Sequence, residues 1–199
     1  MSKTRARITS HSSGPADAGR LTPALAKEER SMTLDDLTVN FAHLKRDEIL
    51  SDWEWLIGRN KLPILITAFG EAFLQDVHDG SIYFLNVTNA SLSKVANTAD
   101  ELNVRLSDKE FVSDFLAVQA VGDLRQSGNL LSKGQVYSYK KAPVLGGSVA
   151  QDNIEPKDIE VHFSLIGQIH EQVKSLPNGD PIKNIEFKVQ KKPWWKVWG

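Results

Sequence analysis

From Ile64 to Val87 the chain reads ILITAFGEAFLQDVHDGSIYFLNV, and this stretch decides the fold. Ile64–Phe69 and Ala72–Asp76 have the composition of strands, and Gly70 between them suggests a bend or bulge. Asp79-Gly80 is a hairpin turn signal, and Ser81–Val87 combines alternating with continuous apolar residues. After a turn at Asn89, Leu92–Ala96 makes a further short strand. Strands joined by connections this short must run antiparallel, because a parallel pair needs a long crossover.

Helices are expected on both sides of this block. Upstream, Thr33 is an N-cap for a helix carrying Leu34, Leu37, Phe41 and Leu44, and a second helix with Ile49, Trp53 and Leu56 stops at Gly58. Downstream, Thr98 caps Ala99–Leu106 with Glu101 at the capping-box offset. Ser107 or Asp108 opens a longer helix whose stripe is Phe111, Phe115, Val118, Val121 and Leu124. Gln135–Lys140 reads as a strand, and Pro143 with Gly146-Gly147 marks a loop. Pro156 and Pro177-Asn178-Gly179 bracket a helix over 157–175. Its first part alternates at Ile159, Val161, Phe163 and Leu165, so a strand followed by a shorter helix is the alternative. Ile182–Val189 reads as a last strand. The expected architecture is a single α+β domain over residues 32–188, an antiparallel sheet of about five to six strands packed with several helices.

Composition narrows the function. The 199 residues contain no cysteine, which excludes disulfides, thiolate metal sites and cysteine nucleophiles and fits a reducing cytoplasm. Apolar runs such as Leu62–Ile66 are far too short to span a bilayer. Residues 1–31, rich in Ser, Thr, Gly, Ala and Arg, read as a disordered extension, and Met32 opens the patterned region as a candidate translation start. The net charge of −1 hides an asymmetry: residues 32–188 hold 15 basic and 22 acidic side chains, a balance of −7. Such a core repels nucleic acid and favours encounter with a basic protein.

The chain offers little for catalysis. Of the five histidines, only His162 and His170 share a segment, at a spacing that sets them roughly 12 Å apart along a helix, too far for one ion. They read as polar residues at the edge of a helix face. Asp76, His78 and Asp79 read as a solvated turn, with weak cation binding or general-base work as the alternative. No nucleophile elbow, phosphate-binding loop or dinucleotide fingerprint occurs. No metal or cofactor is expected, and the chain reads as a non-enzyme.

Several segments together resemble a known family. They are Phe69-Gly70-Glu71-Ala72-Phe73-Leu74-Gln75, Asp79–Val87, Leu92-Ser93-Lys94-Val95-Ala96, Gly134-Gln135-Val136-Tyr137-Ser138-Tyr139 and Pro143-Val144-Leu145-Gly146-Gly147. In this order, over about residues 50–188, they resemble the C-terminal domain family of bacterial type VI secretion immunity proteins, which protect against secreted DNase effectors. Family members often carry Gly-Asp where this chain has Gly70-Glu71. The resemblance implies an α+β fold and a protein partner, a toxic effector that a basic nuclease would fit. A regulatory or scaffolding module of the same fold without a toxin is the second reading. A metal-dependent hydrolase using His78, Asp79 or His162 is the third.

If a partner docks on loops and turns of the central segment, Glu71, Asp76 and Asp79 are the expected contacts. The C-terminal tail, residues 189–199, holds Trp194, Trp195 and Trp198 among Lys191, Lys192 and Lys196. It could cover an apolar face of its own domain, anchor a partner, or sit at a membrane interface.

Overall fold

The computed structural model describes residues 32–176 and 185–188. The extension 1–31, residues 182–184 and 189 of the expected strand 182–189, and the tryptophan-rich tail lie outside the described residues.

Alternation and register explain the central sheet. β2 (Lys61–Thr67), β3 (Ala72–Asp76), β4 (Ile82–Asn86) and β5 (Ser91–Ala96) form an antiparallel meander, and β1 (Thr38–Val39) pairs with the end of β2 through Thr38↔Thr67 and Val39↔Ile66. Pairings such as Phe73↔Phe84 and Leu74↔Tyr83 fix the β3–β4 register, so Phe73 and Phe84 share one face. The register shifts between Pro63 and Leu65, where a proline that cannot donate to a ladder is tolerated at a bulge.

Both faces of this sheet are covered. Phe73, Ile82, Phe84 and Val95 pack with Leu102, Phe111, Leu116, Val121 and Leu124 from α4 (Ala99–Arg105), α5 (Lys109–Phe115) and α6 (Val118–Gln126). Ile66, Ala72, Leu74 and Leu85 pack against the other helical layer. That layer comprises α2 (Arg46–Leu50), a 3-10 turn at Ser51–Trp53, α3 (Glu54–Ile57) and α7 (Ile159–Lys174). Double coverage is the physical reason for the unbroken apolar run Ile82-Tyr83-Phe84-Leu85, since a sheet wet on one face would alternate. A second sheet, β6 (Gln135–Tyr139) with β7 (Ile154–Asp158), joins the first through Tyr137, whose N–H donates to the Ala68 carbonyl at 2.7 Å.

Several expected boundaries moved. The first helix, α1 (Leu34–Leu37), ends after four residues because Thr38 and Val39, both β-branched, pair with β2 instead of continuing it. The stripe at 111–124 is split into two helices. Ala117 has φ +49°, which redirects the chain just after Leu116, a fully buried residue. At the other end, Pro156 lies in β7 opposite Tyr137, and the helix starts at Ile159. The described part of the expected last strand, 185–188, has no assigned secondary structure and pairs with no strand.

Caps fall where the sequence placed them. Thr98 Oγ1 accepts from Glu101 N at 3.1 Å, while Glu101 reaches one residue further back than expected and accepts from Asn97 N at 2.8 Å. The Asn97 N–H and Arg105 hold the Glu101 carboxyl down at about 2. Asp108 rather than Ser107 caps α5, accepting from Glu110 N at 2.9 Å. Thr98→Ala is expected to cost about 1 kcal/mol in urea denaturation, the usual worth of an N-cap.

Candidate functional site: a turn surface and the buried polar network behind it

The β3–β4 hairpin carries two of the three expected contact residues, Asp76 at the end of β3 and Asp79 in the turn. Asp79 is exposed, and its Oδ1 accepts from Ser81 N at 2.8 Å and from Ser81 Oγ. These bonds hold its carboxyl below the usual range. Asp76 is buried, contrary to expectation. Its Oδ2 accepts from Asn60 Nδ2 at 2.6 Å and pairs with Lys61 Nζ at 3.1 Å, and its Oδ1 accepts from His78 N at 2.9 Å. The His78 N–H first, and then Lys61, keep its carboxyl below the usual range. Lys61 is itself buried and lies over the Tyr83 ring at 4.5 Å. Asp76 therefore closes the end of β2 and β3 from inside. Its carboxylate points to Lys61 while that of Asp79 binds Ser81, and among the described residues no three His, Cys, Asp or Glu groups gather to hold a metal.

Glu71 is buried as well, which corrects its expected exposure. The β2–β3 turn is tied by Thr67, whose hydroxyl accepts from Glu71 N at 3.1 Å, and it directs the Glu71 side chain beneath the sheet's end. There its Oε2 accepts from Val87 N at 2.6 Å and its Oε1 from Thr88 Oγ1 at 3.3 Å. Burial pushes the carboxyl up to about 8 against these two bonds, so the group is largely protonated at neutral pH. A turn residue with this polarity looks exposed in sequence, and only the packing of the Thr88 loop over it reverses that.

Two histidines of α7 face the same region. His162 and His170 are buried rather than lying at a helix edge. His162 Nδ1 shares a hydrogen bond of 2.9 Å with Ser138 Oγ. Its Nε2 has no partner of acceptable geometry and packs on Gly70, whose backbone lies close enough to offset part of the effect of burial. Burial lowers the imidazole to about 4, leaving it neutral. His170, lowered for the same reason, is steadied by the backbone of Thr88 and Val87, the residues that also bind Glu71. Gly70 is required twice over: its φ is +76°, and a Cβ would collide with the His162 ring.

This buried network is held by hydrogen bonds to backbone and side chains and by the Asp76–Lys61 ion pair. It shapes the turns rather than presenting a nucleophile or a base to solvent. The helical layer α4–α6 offers a different surface, where Asp100, Asp108, Glu110 and Asp114 are exposed. No helix among the described residues is long and apolar enough to cross a membrane.

A third feature gave no sequence signal. Gln168 and Gln172 of α7 hydrogen-bond the backbone of Glu186 and Lys188. Their spacing on a helix is visible in the sequence, but the segment they bind is not.

Comparison with known proteins agrees with the resemblance on a shorter span. The family model for T6SS immunity protein Tdi1, C-terminal, matches residues 96–170. That span runs from the end of β5 into α7 and contains the segments 134–139 and 143–147, whereas 69–75 and 79–87 lie before it. The match supports an immunity-protein role. No curated protein matches this chain. Among solved structures, the crystal structure of Atu4351 from Agrobacterium tumefaciens is similar at a TM-score of 0.47 and 18% identity, covering 63% of this chain. The chain spans 65% of that structure's length, less than two thirds.

Proposed function

We propose, from the match of residues 96–170 to a type VI secretion immunity family, that this chain is a cytoplasmic, non-enzymatic protein that neutralises a toxic effector by holding it in a complex. The family match is the observation that carries this reading. The acidic balance of residues 32–188 supports a basic partner such as a nuclease. So do the exposed carboxylates Asp100, Asp108, Glu110 and Asp114, which lie within the matched span.

Of the three residues expected at the interface, Asp79 is the one whose side chain is exposed, and it is the contact this reading keeps. Glu71 and Asp76 act behind it by fixing the turns. Charge complementarity of this kind mainly raises the association rate, and buried anchors set the lifetime of the complex.

The test is co-expression with the product of the neighbouring gene. That product is expected to be toxic alone, harmless with this chain, and to co-purify with it in a stoichiometric complex. A harmless neighbour, or one bound no better than a control protein, rejects the reading. In the complex, the triple substitution Asp108→Lys, Glu110→Lys, Asp114→Lys is expected to slow association about tenfold at low salt and far less at high salt. Stopped-flow fluorescence measures this, and an unchanged rate removes the acidic face from the interface.

A further inference from the structure

An extended chain turns the N–H and C=O of every second residue to the same side, with a repeat of roughly 6.6 Å. Side chains one helical turn apart stand at nearly that spacing, roughly 6 Å. Gln168 and Gln172 use this coincidence. Gln168 Oε1 accepts from Lys188 N at 2.6 Å while its Nε2 donates to the Lys188 carbonyl at 3.1 Å. Gln172 Oε1 accepts from Glu186 N at 3.0 Å while its Nε2 donates to the Glu186 carbonyl at 2.7 Å. Two side-chain amides thus do what a neighbouring strand would do.

The amides are held in this orientation by α7 and its neighbour. Gln168 Nε2 also donates to Ser164 Oγ at 3.0 Å and lies 3.4 Å from Asp52 Oδ2, and Ser164 Oγ donates to Asp52 Oδ2 at 2.7 Å. Gln172 Nε2 also donates to the Gln168 carbonyl at 3.1 Å. None of these bonds depends on the identity of residues 185–188. The alternate side chains meet apolar ground: Ile185 packs on the core beside α7. Phe187 lines a cavity of about 200 Å³ with Ala142, Leu145, Ile166 and Ile169 and is itself 48% exposed.

We propose that this face of α7 is an acceptor site for an extended segment of a protein partner, and that residues 185–188 occupy it in cis until displaced. The occupant it fits has large apolar residues two positions apart, the second seated where Phe187 now lies. Because the glutamines read backbone alone, affinity comes from the ladder and selectivity from the cavity, as in strand addition to a sheet edge. The site does not depend on the partner being a toxin.

The probe is a fluorescein-labelled peptide of the sequence 183–189 with tryptophan in place of Phe187, added to the full chain and followed by anisotropy. The Phe187→Asp chain, whose own segment is weakened, is expected to bind it at least tenfold more tightly than the unsubstituted chain. Adding Gln168→Ala or Gln172→Ala should weaken that binding at least tenfold. An absence of binding to Phe187→Asp, equal binding to both chains, or indifference to the glutamines overturns the proposal. Hydrogen exchange in the unsubstituted chain gives a readout free of folding defects. Glu186 and Lys188 amides should be protected and the Phe187 amide between them should not; uniform fast exchange of all three overturns occupancy in cis.

Discussion

The unsubstituted chain is expected to lose about 2 kcal/mol of stability between pH 6.5 and 8, and Glu71→Gln is expected to abolish that fall. In the folded chain the Glu71 carboxyl ionises near 8, against an ordinary value of 4.5. Between those values the unfolded chain has lost a proton that the folded chain keeps, so rising pH favours unfolding. The contribution is complete below 4.5 and is lost as the pH rises through 8. His162 acts in the opposite sense. Its ordinary value of 6.5 falls to about 4 on folding, so its contribution is complete above 6.5 and is lost as the pH falls through 4. His170 shifts in the same direction as His162.

From 4.5 to 6.5 the slopes of Glu71 and His162 oppose each other, and above 6.5 only that of Glu71 remains. Each unshared proton is worth about 1.4 kcal/mol per pH unit, which gives the stated fall. Glutamine keeps the shape and can accept from Val87 N while donating to Thr88 Oγ1. Urea denaturation of both chains from pH 5.5 to 9 is the measurement. Parallel profiles would show that the Glu71 carboxyl is already ionised in the folded state.

The second large effect is expected from a single methyl group. Gly167 faces the 3-10 turn at Ser51–Trp53, where a Cβ would stand 2.6 Å from the Asp52 carbonyl oxygen and 3.0 Å from the Trp53 indole nitrogen. The backbone oxygen cannot swing aside as a flexible side chain could. Trp53 is fully buried, and its indole N–H donates to the Phe163 carbonyl at 2.9 Å. Gly167→Ala must therefore push α7 away from the turn and loosen the core around Trp53. It is expected to cost about 3 kcal/mol, the upper range for overpacking, with a matching drop in thermal midpoint and a red-shifted tryptophan emission. Gly122→Ala is the control, since a Cβ there meets nothing within 4 Å. Equal midpoints for the two variants would mean that α7 does not approach the turn this closely.

Local chemistry determined much of this protein. The strand cores of the meander, the Asp79-Gly80 turn and the caps at Thr98 and Asp108 are visible residue by residue. They rest on side-chain period, turn preference and hydrogen bonds within a few positions. The order of motifs, through segments such as 134–139 and 143–147, also pointed to the immunity family that matches residues 96–170. Long-range packing decided the rest. It ended α1 at Leu37 by offering β2 as a partner, and it split the 111–124 stripe around the burial of Leu116. It turned Glu71, Asp76, His162 and His170 inward, though their polarity reads as surface, because backbone donors, Lys61 and Ser138 replace the water they give up. It also seated residues 185–188 on two glutamines a turn apart, a pairing between positions 14 to 20 residues distant that no local pattern encodes.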